Sequence, residues 1–301
     1  MHSLSSREKW GKWFIFSAFA RKNEPHLPLF ASEASKKQVN AFVLCLNVFY
    51  NKIFNNPNAK SVAISKSFYF KIQHMEKQIV TVTLFRFKGF WNRSWAFGQM
   101  GRRPFQKGIA EGLTFGKMLG TGSGNGFSIF PNFGVYGWLG AWNTEGAARH
   151  FFAQHPVYQS FTEHSVEHFT VYLQTTMAHG LWEGETPFTV SAPFDADEPT
   201  AVLTRATIKP AFLYRFWQYV PRTSRSIEIA EGRVFSVGVG ELPLIQQATF
   251  SLWASGKQMM DYAYKSQYHA EVVKKTRELG WYSEELFARF KVLDTEGSVF
   301  I

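Results

Sequence analysis

"QQATFSLWASGKQMMDYAYKSQYH", residues 246–269, is the stretch whose reading decides the fold. An alternating strand pattern ends in Trp253, and a helical pattern starts directly behind it, with Ser255 placed as the N-cap. The same order of events occurs earlier in the chain. In "FGVYGWLGAWNTEGAARHFFAQHP", residues 133–156, a strand ends in Trp142 and a helix follows behind Asn143 and Thr144. Trp142 and Trp253 therefore mark equivalent points of an internal duplication.

Working outward from the two tryptophans extends the correspondence. "IVTVTLFRFK" opens the first half and "TAVLTRATIK" the second, and each runs into an aromatic-rich helical stretch, 91–106 and 211–219. "FGKMLGTGSG" and "VFSVGVGE" are short strands running into glycines, while "HFTVYLQTT" and "LFARFKVLD" close each half. The pattern is β-α-β-β-α-β twice, the split βαβ of ferredoxin-like folds. Helices cover one face of such a sheet, so its other face has to be buried against a second sheet. The expected fold class is α+β, with tandem ferredoxin-like repeats forming a dimeric-α+β-barrel-type unit within one chain. The halves span 75–181 and 200–301, and the Pro-, Thr- and acid-rich segment 182–199 links them.

Residues 1–74 read differently. They hold eleven Lys and Arg against three acids, a net of +8 out of the whole chain's +10, which leaves +2 for the body from Met75 onward. Their apolar run, 41–50, is far short of the roughly 20 residues that span a bilayer. The composition suits a disordered or targeting extension, and Met75, directly before the first convincing strand, reads as an alternative start. Because the basic charge is not spread over a folded face with interleaved aromatics, nucleic-acid binding is not expected.

Cysteine usage narrows the chemistry. Cys45 is the only one, so the body has none. A disulfide, an iron–sulfur cluster, a thiolate-ligated haem and a covalent C-x-x-C-H haem are all excluded there. A metal or haem in the body must use His, Tyr, Met or carboxylate. The 31 Phe and 10 Trp fill a large core or line a large apolar pocket, and composition alone favours the core.

Short motifs add less. "GTGSGNG", 120–126, lacks the Gly-Lys-Ser/Thr ending of a phosphate loop and joins two strands rather than a strand and a helix. It reads as a glycine hairpin that lets a ligand or a second backbone come close. "EHSVEH", 163–168, sets His164 and His168 at metal-ligand spacing if it is helical, with His150 and His155 nearby, although the spacing also arises on ordinary wet helix faces. No G-x-S-x-G nucleophile elbow is present. Alternation along "AVLTRATIK" and "LFARFKV" puts Arg205 and Arg289 on strands that neighbour each other in a ferredoxin-like sheet, so the two could lie close together. An Arg in an apolar strand wants an acid such as Glu241, or an anionic ligand.

With those residues laid out, the chain resembles the spheroidene monooxygenases, carotenoid-biosynthesis enzymes. The resemblance rests on "TLFRF", the W-x-x-GQM of 95–100, "KMLGTGSGNGF", "LTRATIK", "RFW", "VGVGELPLIQQATFS" and "GWYSEELFARF". It implies a haem-containing, oxygen-dependent enzyme that introduces a keto group at C-2 of an acyclic carotenoid with electrons from external reduced ferredoxin. It further implies His269, on the last helix of the second half, as the proximal ligand of the haem iron. Arg205 and Arg289 become candidates for the distal pocket or the propionates. A cytoplasmic protein that meets its substrate at the membrane surface follows, with oligomeric state left open. The competing reading is a peroxidase-like haem protein or a non-catalytic barrel with a different apolar ligand.

Overall fold

Successive residues of a strand face opposite sides of a sheet, and in this protein that alternation separates an interior core from two outer clusters, the second built on Trp253, Ile227 and Met259. The structure is a computed structural model describing residues 77–301, except 125, 127, 266–275, 277 and 301; the side chains of 222, 223 and 265 are also outside the described set. The first half contains β1 (Ile79–Arg86), α1 (Phe90–Arg102), β2 (Leu113–Gly122), β3 (Pro131–Trp142), α2 (Glu145–Gln154), α3 (Pro156–His164) and β4 (Glu167–Gly180). The second contains β5 (Thr200–Ile208), a 3-10 turn (Pro210–Phe212), α4 (Leu213–Glu228), β6 (Arg233–Gly240), β7 (Gln246–Trp253), α5 (Gly256–Lys265) and β8 (Tyr282–Gly297).

The eight strands close into one antiparallel barrel in the order β1-β3-β2-β6-β7-β5-β8-β4. Each half supplies four consecutive staves, and in both halves the first and third strands pair at the centre. One seam between the halves is long, from Phe169↔Gly297 to Gly180↔Leu286. The other is held only by Gly120↔Gly240 and Thr121↔Val239. There the glycine hairpin takes the backbone role foreseen for it. Gly126 has φ +90, and a Cβ on it would stand 2.5 Å from the backbone N and O of Gly238. Only glycine combines that dihedral with that approach.

The inward-facing residues fill the barrel. Val82, Leu139, Val171, Leu203, Val237 and Phe250 belong to one buried cluster, and Trp182 and Phe188 of the linker join it. An eight-stranded barrel is just wide enough for side chains to close its interior. The interior is therefore a packed core.

Local signals explain the helix ends. The Thr144 Oγ1 accepts from the Ala147 N–H at 3.0 Å, and the Ser255 Oγ from the Gln258 N–H at 3.2 Å, as their N-cap positions predict. The helix expected over 91–106 stops at Arg102, because Arg103 (φ 49) adopts the left-handed conformation and precedes Pro104, which disfavours the α region. The helix expected over 211–219 continues to Glu228 through Pro221.

Candidate functional site

The outward faces of the two half-sheets can be compared position by position, because the ladders share a register. Thr83 opposes Trp138 on β3 and Thr170 on β4; Thr204 opposes Thr249 on β7 and Phe287 on β8. On the flanking strands Met118 opposes Trp138, and Gly238 opposes Thr249. One step along, Phe85 corresponds to Ala206, each opposite the next residue of its partner strands.

In the first half this face is filled. Trp138, 1% exposed, stacks on Phe105 with centroids 4.6 Å apart and packs on Phe161 at 4.3 Å. Phe85, Phe151, Tyr158 and Trp142 complete an aromatic layer beneath α1, α2 and α3. Much of the aromatic content therefore serves as core. At the equivalent points the second half has Thr249 for Trp138, Gly238 for Met118 and Ala206 for Phe85. The consequence is visible at Thr204, which is exposed, whereas its counterpart Thr83 is 1% exposed. Around Thr204 the outer face of the second half therefore carries small side chains, with Phe287 at the position of Thr170, while farther along the sheet Trp253 is covered by Ile227 of α4 and Met259 of α5.

The helices of the second half leave apolar side chains partly exposed. From α4, Phe216, Trp217, Tyr219 and Val220 are only half-buried. The helix is pinned at its edges: the Trp217 Nε1 donates to the Leu244 carbonyl at 3.1 Å, and Tyr219 packs on Trp281 at 5.8 Å. The Tyr262 hydroxyl meets the Ser226 hydroxyl at 3.0 Å, tying α5 to α4, and Tyr262 packs on Trp253 at 5.1 Å.

Arg289 lies at the rim of that outer face, opposite Val202. Its guanidinium stacks over Phe194 at 3.6 Å, and its Nε donates to the Thr176 Oγ1 at 3.2 Å. Burial lowers its pKa from the ordinary arginine value, and among the described residues no carboxylate forms an ion pair with it. His179, which the sequence reading passed over, stacks on Phe287 at 5.1 Å and so stands at the same rim. Only the β4–β8 register, between residues far apart in sequence, reveals it.

Arg205 goes elsewhere. It opposes Leu286, a member of the interior cluster, and its side chain is 1% exposed. The expected proximity of the two arginines does not occur, because positions of opposite parity on paired strands face opposite sides. Arg205 is bonded to Glu284, lies 3.7 Å from Glu241 and sits 5.3 Å from the Trp182 ring. Glu284 also accepts the N–H groups of Glu183 and Gly184 at 2.9 and 2.8 Å, while Glu241 binds Lys117 at 3.0 Å and the Trp182 Nε1 at 2.8 Å. Burial opposes ionisation of Glu284, but the two N–H groups and Arg205 outweigh it and hold the carboxyl below its ordinary value. The charged cluster fastens the start of the linker to one end of the barrel, the acid-paired reading of Arg205.

The paired histidines of 163–168 separate. The α3 helix ends at His164 and His168 lies on β4, so they do not share a helix face. His164 stacks on Trp95 at 3.9 Å and its Nδ1 lies 2.8 Å from the Ser160 carbonyl; His155 caps α3, its Nδ1 accepting from Val157 at 3.3 Å. Among the described residues no group of three His, Cys, Asp or Glu could hold a metal. His269 lies outside the described residues.

No family model matches the chain. Three curated proteins align with it, each named spheroidene monooxygenase. That of Cereibacter sphaeroides is 40% identical over 221 residues, covering 73% of this chain and 68% of its own length. That of Rhodobacter capsulatus is 38% identical over 225 residues, covering 73% and 92%. That of Rubrivivax gelatinosus is 34% identical over 208 residues, covering 68% and 78%. Among solved structures, an aldoxime dehydratase superposes with TM-score 0.50 at 12% identity over 73% of this chain and 83% of that one, and shares the fold alone.

Proposed function

This chain belongs to the spheroidene monooxygenase family and is a monooxygenase; on that premise we propose that it uses haem to introduce a keto group at C-2 of an acyclic carotenoid, with reduced ferredoxin as electron donor. The two halves are read as tandem ferredoxin-like repeats that have diverged in purpose, one filled for stability and one hollowed for the cofactor.

The observation that carries this reading is the replacement of Trp138, Met118 and Phe85 by Thr249, Gly238 and Ala206 at matched positions. A floor stripped of bulk under half-buried aromatics suits a flat, largely apolar ring system. The body offers no thiolate, which leaves His, Tyr, Met or carboxylate as iron ligands, and His269 is the one that the family resemblance implies. Arg289, at the rim and without a described acid partner, would receive a propionate. His179 beside Phe287 is a second polar group facing the same hollow. Arg205, engaged with Glu284 in the barrel end, acts as a structural group rather than a pocket residue.

When bound, haem would supply the activation of dioxygen for insertion into a C–H bond. Two insertions at the same carbon, with loss of one water, give the ketone. The chain's part is to hold the polyene against the apolar wall of α4 and keep bulk water from the reacting carbon. Expression in a carotenoid-producing host, with product analysis and a Soret spectrum of the purified protein, tests the proposal. Colourless protein and unchanged carotenoids would overturn it.

A further inference from the structure

We propose that the surface built by α1, the segment behind it and the β2–β3 connection docks on an anionic lipid bilayer. This deepens the proposed function and rests on its apolar substrate, because a carotenoid dissolves in membranes.

The surface carries large aromatics that stay exposed among the described residues. Phe90 is 74%, Trp91 81% and Phe130 69% exposed. Phe90 and Phe97 stand two helical turns apart and so share one side of α1. Phe97 meets Phe133 at 5.4 Å, which continues the apolar strip onto the start of β3, close in sequence to Phe130. Contiguous exposed apolar surface of this kind marks an interaction site.

Charge selects the occupant. Between residues 88 and 111 the exposed cations are Lys88, Arg93, Arg102, Arg103 and Lys107, and the sole acid is Glu111, a local net of +4. None of the five forms an ion pair with a described acid. The body as a whole carries only +2, so the +4 of this surface is offset by a net of −2 over the rest of the body. A second copy of the same surface would be repelled. An acidic protein would satisfy the cations and leave the protruding rings without an apolar partner. A bilayer with anionic headgroups satisfies both, with aromatic rings at headgroup depth and Lys and Arg at the phosphates. No helix among the described residues is long and apolar enough to cross a membrane.

The test is sedimentation of the full-length protein with carotenoid-free vesicles, either of phosphatidylcholine alone or of equal parts phosphatidylcholine and phosphatidylglycerol. Wild type should prefer the mixed vesicles. The triple variant Phe90→Ser, Trp91→Ser, Phe130→Ser should partition about tenfold less or weaker still, with unchanged circular dichroism and unchanged turnover of detergent-dispersed carotenoid. Arg102→Gln with Arg103→Gln should weaken binding at low salt and matter less at high salt. Residues 1–74 are common to every arm, so their contribution cancels. Wild-type binding by the triple variant would overturn the proposal. So would variants that keep vesicle binding but lose electron delivery from a reduced acidic carrier protein, since the surface would then belong to that protein. Because the vesicles hold no carotenoid, failure here and failure of the haem or substrate reading are told apart.

Discussion

Arg205 and Arg289 lie three positions out of step on the β5–β8 ladder, and they point to opposite sides of the barrel wall. One closes the barrel end against Glu284, and the other borders the hollow outside it. Their substitutions should therefore have separable effects. Arg289→Gln should weaken ligand retention at little cost in stability. Arg205→Leu should cost about 3–5 kcal/mol, because it strands Glu284 without its cation. Equilibrium denaturation run beside the Soret absorbance distinguishes them, and equal effects on both readouts would refute the division.

Filling the hollow should abolish ligand binding without unfolding the protein. Thr249→Trp puts into the second half the side chain that occupies the same lattice point in the first. The expected result is loss of the haem band with the melting temperature kept or raised. Full haem retention would show that the ligand lies elsewhere.

Trp138→Ala should be among the most damaging single changes. The side chain is buried and in contact with Phe105, Phe151 and Phe161, so a cavity opens that the packed layer cannot close. A loss of about 3–5 kcal/mol is expected from urea titration. A cost below about 1 kcal/mol would mean that the first-half layer is looser than its contacts imply.

Glu284 gives the barrel end a pH dependence of known sign. Its folded pKa lies below the ordinary value of 4.5, so its contribution is present above that value and is lost as pH falls toward the depressed one. Wild type should lose stability on acidification more steeply in that window than Glu284→Gln. Parallel acid-unfolding curves would contradict the interaction with Arg205 and the linker N–H groups.

On the proposed haem reading, His269→Ala should remove the Soret band while leaving circular dichroism unchanged. His164→Ala is the control, since His164 is already engaged by Trp95 and Ser160. Haem loss in the control alone would move the site into the first half.

Much of the fold was legible from the chain because it depends on short-range pattern. Alternation marked all eight strands, and Thr144 and Ser255 marked two helix starts. The paired tryptophans marked two strand ends, since β3 ends at Trp142 and β7 at Trp253. The absence of Cys from the body limited its metal chemistry. The site was far less legible, because it depends on which residues meet across ladders. The parity that parts Arg205 from Arg289, and the pairing of His179 with Phe287, exist only once β8 is in register with β4 and β5. The helical spacing of His164 and His168 failed because α3 ended between them, where the chain turned into β4. Thr249, Gly238 and Ala206 are unremarkable in sequence. They gain meaning only because the barrel sets each at the position that Trp138, Met118 or Phe85 fills in the other half, and a small side chain acquires meaning only from what surrounds it.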